Sequence, residues 1–205
     1  MTLKGLPGGM YRPLSGKQIE TIHSSALSIL EKIGVTYDPG IEETIDMLEN
    51  SGAHVDRKKT RITFPPELIV EQANTAPAQV ILYSRDGKND LYLTDHNVYM
   101  GTGGAAVNIL DLKTGQPRPP TLNDLYQIGR LVDNLENIHF LLRPCITTDI
   151  PDDAYDVKIF YICLRTTQKH VMSGVIDEAG FHQALDVASM LAGNAGSVLI
   201  SARSC

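Results

Sequence analysis

From residue 97 onward, short apolar runs alternate with amphipathic helical segments, and this alternation is the strongest constraint on the fold. Strands are predicted at 98–100, 138–142, 171–175 and 197–201, and helices at 121–135, 152–167 and 177–191. The predicted strand at 138–142 shows little polar alternation, which is typical of strands covered on both faces. Alternating strand and helix units form parallel sheets with right-handed crossovers. The segment is therefore either an open doubly wound sheet or part of a (β/α) barrel.

The length of this segment fits about half of such a barrel. Eight units need about 250 residues, whereas four strands occur here in about 110. We predict an α/β fold, a partial (β/α)8 TIM barrel (about its first half) with an N-terminal helical and β-meander elaboration. The predicted domains are 1–96, with the helices and the meander, and 97–205, a truncated barrel. No domain boundary is visible near residue 205, so we expect the chain to be a fragment.

The first 96 residues have irregular helical and hairpin patterns. Residues 1–14 are predicted to be an extended or disordered arm. Ser15 and Gln18 fit a capping box for a helix that Gly34 ends, and Asp38-Pro39 is predicted to open a second helix. Further elements are predicted as follows: a strand at 61–64, a helix at 65–74, and a three-stranded meander at 80–83, 90–93 and 98–100.

Composition excludes several classes of function. The formal net charge is −6, and the nearest approach to a basic run is Arg57-Lys58-Lys59, so no nucleic-acid partner is expected. No apolar stretch is long enough to span a membrane, and no signal peptide is visible, so we expect a cytoplasmic protein without membrane contact. Cys145, Cys163 and Cys205 form no CxxC pair. A disulfide scaffold or a thiolate metal site is therefore not expected.

A glycine-rich stretch, Gly101-Thr102-Gly103-Gly104, follows the first strand of the alternating region. It imitates the dinucleotide fingerprint, in which glycines let a pyrophosphate approach the start of a helix. The next segment, 107–112, is apolar and β-like and leads into a hairpin turn, so no helix is predicted there and nucleotide binding is not expected. Two interpretations stay open: a tight turn without a ligand, and a substrate-facing loop at the carboxyl end of a barrel strand.

Polar residues follow the other predicted strands as well. They are Arg143 to Asp149 after the second strand, Ser173-Gly174 after the third and Ser201 to Arg203 after the fourth. The carboxyl ends of parallel strands share one edge, where binding sites collect. Arg143 and Thr147 could hold an anionic group at this edge, or Arg143 could pair with Asp149. Ser173 lacks the GxSxG context of a nucleophile.

Specific motifs occur in a fixed order along nearly the whole chain. They are L-S-x-x-Q-I-x-x-I-H-x-x-A-L-x-I-L-E-x-I-G-V (Leu14 to Val35), Ser51-Gly52-Ala53 with Val55-Asp56, Pro65-Pro66-Glu67-Leu68, Thr75-Ala76-Pro77, Leu82 to Asp86, Gly101 to Gly104, Leu110-Asp111 and Arg118 to Leu122. Together they resemble the N-terminal portion of the trimethylamine methyltransferase (MttB-like) family.

This resemblance implies a (β/α)8 barrel that takes a methyl group from a tertiary or quaternary amine and passes it to the cobalt of a separate corrinoid protein. The implied partners are that corrinoid protein and a small methylated amine such as trimethylamine or glycine betaine, with a homo-oligomer also possible. No cofactor is expected to be bound directly by this chain, because the corrinoid (cobalamin) is carried by the partner protein. Some members carry pyrrolysine in later barrel strands, beyond Cys205, so this chain does not show its subtype.

The chemistry of an ammonium substrate suggests where it would bind. Cations prefer carboxylates and aromatic faces, so Tyr99, Asn108 and Asp149 are plausible contributors near the strand ends. No catalytic residue is assigned, no metal ligand is expected, and the fragment alone is expected to be inactive. The candidate substrate-binding residues are Gly101, Thr102, Gly103, Gly104, Asn108, Arg143, Thr147 and Ser173.

Two other interpretations are weighed against this one. The chain could be a non-catalytic, small-molecule binding α/β module, which a helix beginning near Ala105 would favour. It could also be a half-barrel that pairs with itself or with a partner, because an unpaired sheet edge tends to associate.

Overall fold

The computed structural model describes residues 5–94, 96–192 and 200–204. It divides into two compact units, one formed by residues 9–78 and the other by residues 5–8 together with 79–204. The division predicted at residue 96 rests on sequence pattern and stays a prediction, whereas the compact units separate after Ala78. No helix of the described residues is long and apolar enough to cross a membrane.

The secondary-structure elements have the following bounds. The helices are α1 (Gly16–Lys32), α2 (Glu42–Asn50), α3 (Pro66–Thr75), α4 (Leu122–Asn134), α5 (Tyr155–Thr166) and α6 (Glu178–Ala192), and a 3-10 helix, Asp152–Ala154, precedes α5. The strands are β1 (Leu6–Pro7), β2 (Val35–Thr36), β3 (His54–Asp56), β4 (Arg61–Thr63), β5 (Val80–Leu82), β6 (Leu91–Leu93), β7 (Asn97–Val98), β8 (Ile109–Leu110), β9 (Pro117–Arg118), β10 (Phe140–Leu142), β11 (His170–Val175) and β12 (Ile200–Ser204).

The unit of residues 9–78 has a small core beneath an antiparallel sheet of order β2-β4-β3. The capping box at the start of α1 is confirmed, and Gly34 has the positive φ of 69° expected after a helix. The predicted start of α2 at Asp38-Pro39 is wrong: the helix begins at Glu42. Gly40 has a φ of 103°, which a right-handed helix cannot contain, so the helix begins only beyond it.

The second unit begins with strand pairings that the sequence did not predict. β5 and β6 form the expected antiparallel hairpin, but β7 pairs with β1 instead of completing a three-stranded meander. The described part of the N-terminal arm is therefore partly a strand. Gly8 fits this approach because a side chain there would lie 2.4 Å from the Val98 Cγ2 atom. Among the described strands β8 pairs only with β9, across a turn at the predicted 113–115.

The alternating region forms a parallel sheet of order β10-β11-β12. Gly101 forms a parallel bridge with Phe140, so the segment around Gly101 lies next to β10. The Gly101 segment, β10, β11 and β12 are therefore neighbours in the same order as in the sequence. Helices α4, α5 and α6 pack against the sheet around a core that includes Leu125, Leu141, Phe160 and Val171. The described strands form no closed ring, and the partial (β/α)8 barrel stays a prediction.

Two of the predicted strand ends need correction. Ser173 and Gly174 lie inside β11, and Ser201 to Arg203 lie inside β12. Residues 197–199 of the last predicted strand lie outside the described residues. The predicted strand at 171–175 already ends where β11 ends, whereas β12 continues three residues past the predicted end at 201, because the residues after Ser201 are also paired in the sheet.

Candidate functional site

The glycine-rich stretch is extended rather than a tight turn. Gly101 pairs with Phe140 and Ala106 with Cys145, so the whole stretch runs alongside β10 and its continuation. The N–H groups of Ala105 and Ala106 donate to the carbonyl oxygens of Arg143 and Pro144, at 3.1 and 3.0 Å. The left-handed residue is Ala105, with a φ of 59°. No helix begins near Ala105, so the stretch lacks the helix N-terminus that binds the pyrophosphate in dinucleotide-binding folds.

The predicted residues of this stretch differ in exposure. Gly103, Gly104 and Asn108 are exposed, and Gly101 and Thr102 are half-buried. The Thr102 hydroxyl donates to the Leu142 carbonyl oxygen, which joins the stretch to β10. The pairing of this segment with β10 and the residues after it ends at Ala106. Among the candidate substrate-binding residues of the segment, Asn108 is the one that lies past this end.

Arg143 is the most unusual charged group of the site, because it is only 9% exposed. Its backbone N–H donates to the Met172 carbonyl oxygen at 2.9 Å, and its guanidinium carbon lies 5.9 Å from the centre of the Tyr155 ring. Among the described residues its guanidinium has no ion pair or hydrogen bond. Of the two alternatives left open for Arg143, the ion pair with Asp149 is not formed, and the Asp149 carboxylate instead accepts a hydrogen bond from the Leu122 N–H at 2.8 Å. A buried cation without an anionic partner is costly and favours binding of an anion.

Two hydroxyl groups near Arg143 in the sequence or in contact with it are, like its guanidinium, buried without a hydrogen-bond partner among the described residues. Within the described part of the chain, Thr147 Oγ1 and the Tyr155 hydroxyl are both shielded from solvent and have no hydrogen-bond partner. Each such group costs about 1–3 kcal/mol unless a ligand or water satisfies it. Tyr155 was missed by sequence reasoning, since an aromatic residue at the start of a helix gives no local signal of function.

Ser173 is buried, and its hydroxyl donates to the neighbouring Gly174 carbonyl oxygen at 3.1 Å. By the alternation of side chains along strands, Ser173 and Arg143 lie on the sheet face that carries Leu141 and Val171 into the helix-packed core. The register of β10 and β11 makes Ser173 and Arg143 neighbours. The structure therefore brings Arg143 and Ser173 together but leaves the exposed glycines apart from them.

The two described cysteines are buried and neutral. Burial raises the pKa of the Cys163 thiol to about 12, and it also raises the pKa of the Cys145 thiol. A thiol nucleophile reacts as the thiolate. These cysteines are therefore packing residues, and no group of three or more potential metal ligands occurs in the ranges that the structure describes.

Arg118 and Asp111 explain why the motif residues around 110–122 occur together. Arg118 binds Asp111 at 3.1 Å and Asp124 at 2.7 Å, which ties the β8–β9 hairpin to the start of α4. Thr121 and Asp124 form the predicted capping box of that helix. Hydrogen bonds from the Thr114 N–H and from Arg118 lower the pKa of Asp111 to about 2. These residues position the hairpin that follows Asn108.

Sequence reasoning also missed an acidic cleft at the starts of α5 and α6. Asp152, Asp153, Asp156 and Asp177 all line it. The only local signal is the run Pro151-Asp152-Asp153-Ala154-Tyr155-Asp156, whose acidic residues lie in the helix predicted over 152–167.

Comparison with known proteins identifies the family. The family model described as "Trimethylamine methyltransferase (MTTB)" matches residues 6–204. The chain is 30% identical over 179 residues to the trimethylamine methyltransferase MttB of Desulfitobacterium hafniense (strain DSM 10664 / DCB-2), a match that covers 87% of this chain and 36% of that protein. It is 25% identical over 187 residues to the glycine betaine methyltransferase of Desulfitobacterium hafniense (strain Y51), covering 89% and 37%.

The chain thus spans little more than one third of the length of either relative. The family match nevertheless extends over almost every residue of the chain and confirms the resemblance drawn from the ordered motifs. The chain belongs to the trimethylamine methyltransferase (MTTB) family.

Proposed function

We propose that this chain forms part of a methyltransferase that moves a methyl group from a methylated amine of the trimethylamine or glycine betaine type to a corrinoid protein. The observation behind the proposal is the family match over residues 6–204, with two relatives that are both named as methyltransferases. The corrinoid partner and the identity of the amine belong to this proposal.

The order of the parallel strands supports a partial (β/α)8 barrel as the scaffold. In such barrels consecutive strands are neighbours, as the Gly101 segment, β10, β11 and β12 are here. The active sites of barrel enzymes lie at the carboxyl edge of the strands. We therefore propose that the amine approaches the edge that Asn108 and the segment after β10 form.

The residues at this edge suit a charged amine. The exposed carboxylate of Asp149 raises the local concentration of a cation. Arg143 and Thr147 are buried just past the end of β10 and would hold an anionic group, such as the carboxylate of a glycine betaine-type substrate. The exposed Gly103 and Gly104 let a ligand approach the backbone closely.

The chemistry needs little from the chain besides binding and orientation. When bound, the corrinoid of a partner protein would supply the electron pair that accepts the methyl group, and the electrons of the C–N bond would stay with the departing amine. The positive charge on the nitrogen decreases as the methyl group leaves. Residues that bind the charged substrate very tightly would therefore stabilise it more than the transition state and slow the transfer. We propose that this chain binds no cofactor directly, and that any homo-oligomer forms in addition to the complex with the corrinoid protein.

A chimaera tests the proposal. The matched segment of the Desulfitobacterium MttB would be replaced by this chain, and transfer from trimethylamine and from glycine betaine to a reduced corrinoid protein would be followed by the corrinoid absorbance. We expect transfer by the chimaera and none by the isolated chain. A folded chimaera that binds the corrinoid protein but transfers no methyl group from either amine would contradict the proposal.

A further inference from the structure

An acidic cleft of about 590 Å³ lies between the start of α5 and the start of α6. Four carboxylates line it, those of Asp152, Asp153, Asp156 and Asp177, and no basic residue lines it among those whose side chains the structure describes. Among the described residues none of the four takes part in an ion pair. Two helix N-termini contribute about half a positive charge each, so the four carboxylates leave the cleft strongly negative.

Asp156 sets this cleft apart from an ordinary acidic surface, since it is only 5% exposed. Its Oδ2 accepts a hydrogen bond from the Ile176 N–H at 2.8 Å. The absence of a side chain at Gly180 makes room for the carboxylate, because a Cβ atom there would lie 2.0 Å from Oδ2. The carboxylate is therefore held in place by two residues that also line the cleft.

The second oxygen of this carboxylate is unsatisfied. Asp156 Oδ1 is shielded from solvent and has no hydrogen-bond partner within residues 5–94 and 96–192. Asp177, in contrast, uses one oxygen to accept from the Gly180 N–H at 2.8 Å and so caps α6. A buried carboxylate oxygen without a donor is costly, and a ligand that supplies an N–H would remove this cost.

The chemistry of the cleft selects the class of ligand. Its negative charge excludes anions, and the described residues include no group of three or more side chains that could hold a metal ion. A quaternary ammonium ion has no N–H to give to Asp156 Oδ1. A guanidinium or primary ammonium group has both the positive charge and the donors.

We propose that this cleft is a binding site for a guanidinium or primary ammonium group, distinct from the methylated amine site and independent of the proposed methyl transfer. Asp156 receives the N–H donors of the ligand. Asp152 and Asp153 add charge at the mouth of the cleft, and Ile176 contacts the carbon atoms beside the cationic group.

The test is an NMR titration of the full chain at constant ionic strength, with the Ile176 and Gly180 amide resonances as reporters. We expect methylguanidinium to shift both resonances saturably and tetramethylammonium to leave them unchanged. Asp156→Asn keeps an oxygen for the Ile176 N–H but removes the charge, and should weaken methylguanidinium binding about tenfold or more. Asp153→Asn should weaken it about threefold, whereas the matched control Glu136→Gln, at an exposed carboxylate outside the cleft lining, should bind as the original chain does.

The proposal is overturned if methylguanidinium gives no saturable shift, or if tetramethylammonium binds equally well. It is also overturned if both Asp variants bind as tightly as the Glu136→Gln control. Should Asp156→Asn fail to fold, the exposed Asp153→Asn variant and the comparison of the two cations still decide the outcome. A final arm compares methylguanidinium with N-acetyl-arginine methylamide: equal binding assigns the cleft to a protein side chain, and weaker binding of the capped arginine assigns it to a free cation.

Discussion

Replacing Gly101 by alanine should destabilise the parallel sheet, whereas the same change at Gly103 should not. A Cβ atom at Gly101 would lie 2.2 Å from Cε2 and 2.3 Å from Cζ of Phe140. At Gly103 nothing lies within 4 Å of such an atom. Neither glycine has a positive φ, so backbone strain does not differ between the two sites. The pair therefore isolates the contact with the Phe140 ring.

The expected magnitudes follow from two opposing effects. Alanine reduces the conformational entropy of the unfolded chain and stabilises the protein by about 0.4–1 kcal/mol where it fits. At Gly101 the Phe140 ring must move by more than 1 Å to reach an ordinary contact of about 3.5 Å, and such overpacking costs about 1–3 kcal/mol. Gly103→Ala should thus be neutral or slightly stabilising, and Gly101→Ala should be less stable than Gly103→Ala by about 2 kcal/mol.

Urea unfolding followed by far-ultraviolet circular dichroism measures this difference. The double variant Gly101→Ala/Phe140→Leu provides the decisive control, because leucine is smaller and can move away from the new methyl group. We expect a coupling of about 1 kcal/mol between the two substitutions. Equal stabilities of the two alanine variants, or no coupling with Phe140→Leu, would refute the account of this contact.

Three further predictions concern other buried contacts. Lys169 is 6% exposed and donates to the carbonyl oxygens of Val132, in α4, and of Leu135 and Ile138, after it, at 2.5–2.7 Å. Lys169→Met should lower the free energy of unfolding in urea by about 2–4 kcal/mol, and the exposed Lys158→Met should change it little. The folded-state pKa of Asp111 is about 2, below its ordinary 3.8, so its contribution is present above pH 3.8 and lost as the pH falls through 2; Asp111→Asn should lose less stability than the original chain when acid unfolding is followed over this range. A Cβ atom at Gly129 would lie 2.1 Å from Thr166 Oγ1, so Gly129→Ala should separate α4 from α5 and lower the thermal midpoint, with a cost of about 1–3 kcal/mol; an unchanged midpoint would contradict this close packing.

The parts of the fold that sequence predicted well depend on interactions between near neighbours. The capping box at Ser15 involves residues three apart, and so does the one at Thr121. The positive φ of Gly34 is likewise a local requirement of the helix end. These features need no knowledge of the tertiary structure, which is why short patterns identify them.

The errors arise where a distant segment decides the outcome. In the pairing of β7 with β1, Leu6 lies opposite Val98, and nothing in the sequence near either residue shows this pairing. The same holds for the candidate site. The sequence identified Arg143 as a cation near a strand end, but its burial against Tyr155 depends on how α5 packs on the sheet. The acidic cleft also needs α5 and α6 side by side, so its four carboxylates were not recognised as one group.

In the glycine-rich stretch, the close backbone approach follows from the local sequence, whereas the position of the strand end depends on pairing with β10. Several glycines together predict a close backbone approach, and this is right at Gly101, where the Phe140 ring occupies the space of a side chain. The position of the strand end is set by the ladder with β10, which continues to Ala106 and Cys145. The chain therefore leaves the sheet after the glycines, and the left-handed conformation falls on Ala105, where it costs about 1 kcal/mol or more. A ligand at the carboxyl edge would consequently meet the segment from Ala105 to Asn108 and the exposed backbone of Gly103 and Gly104, whereas Gly101 would keep the strand close to its neighbour.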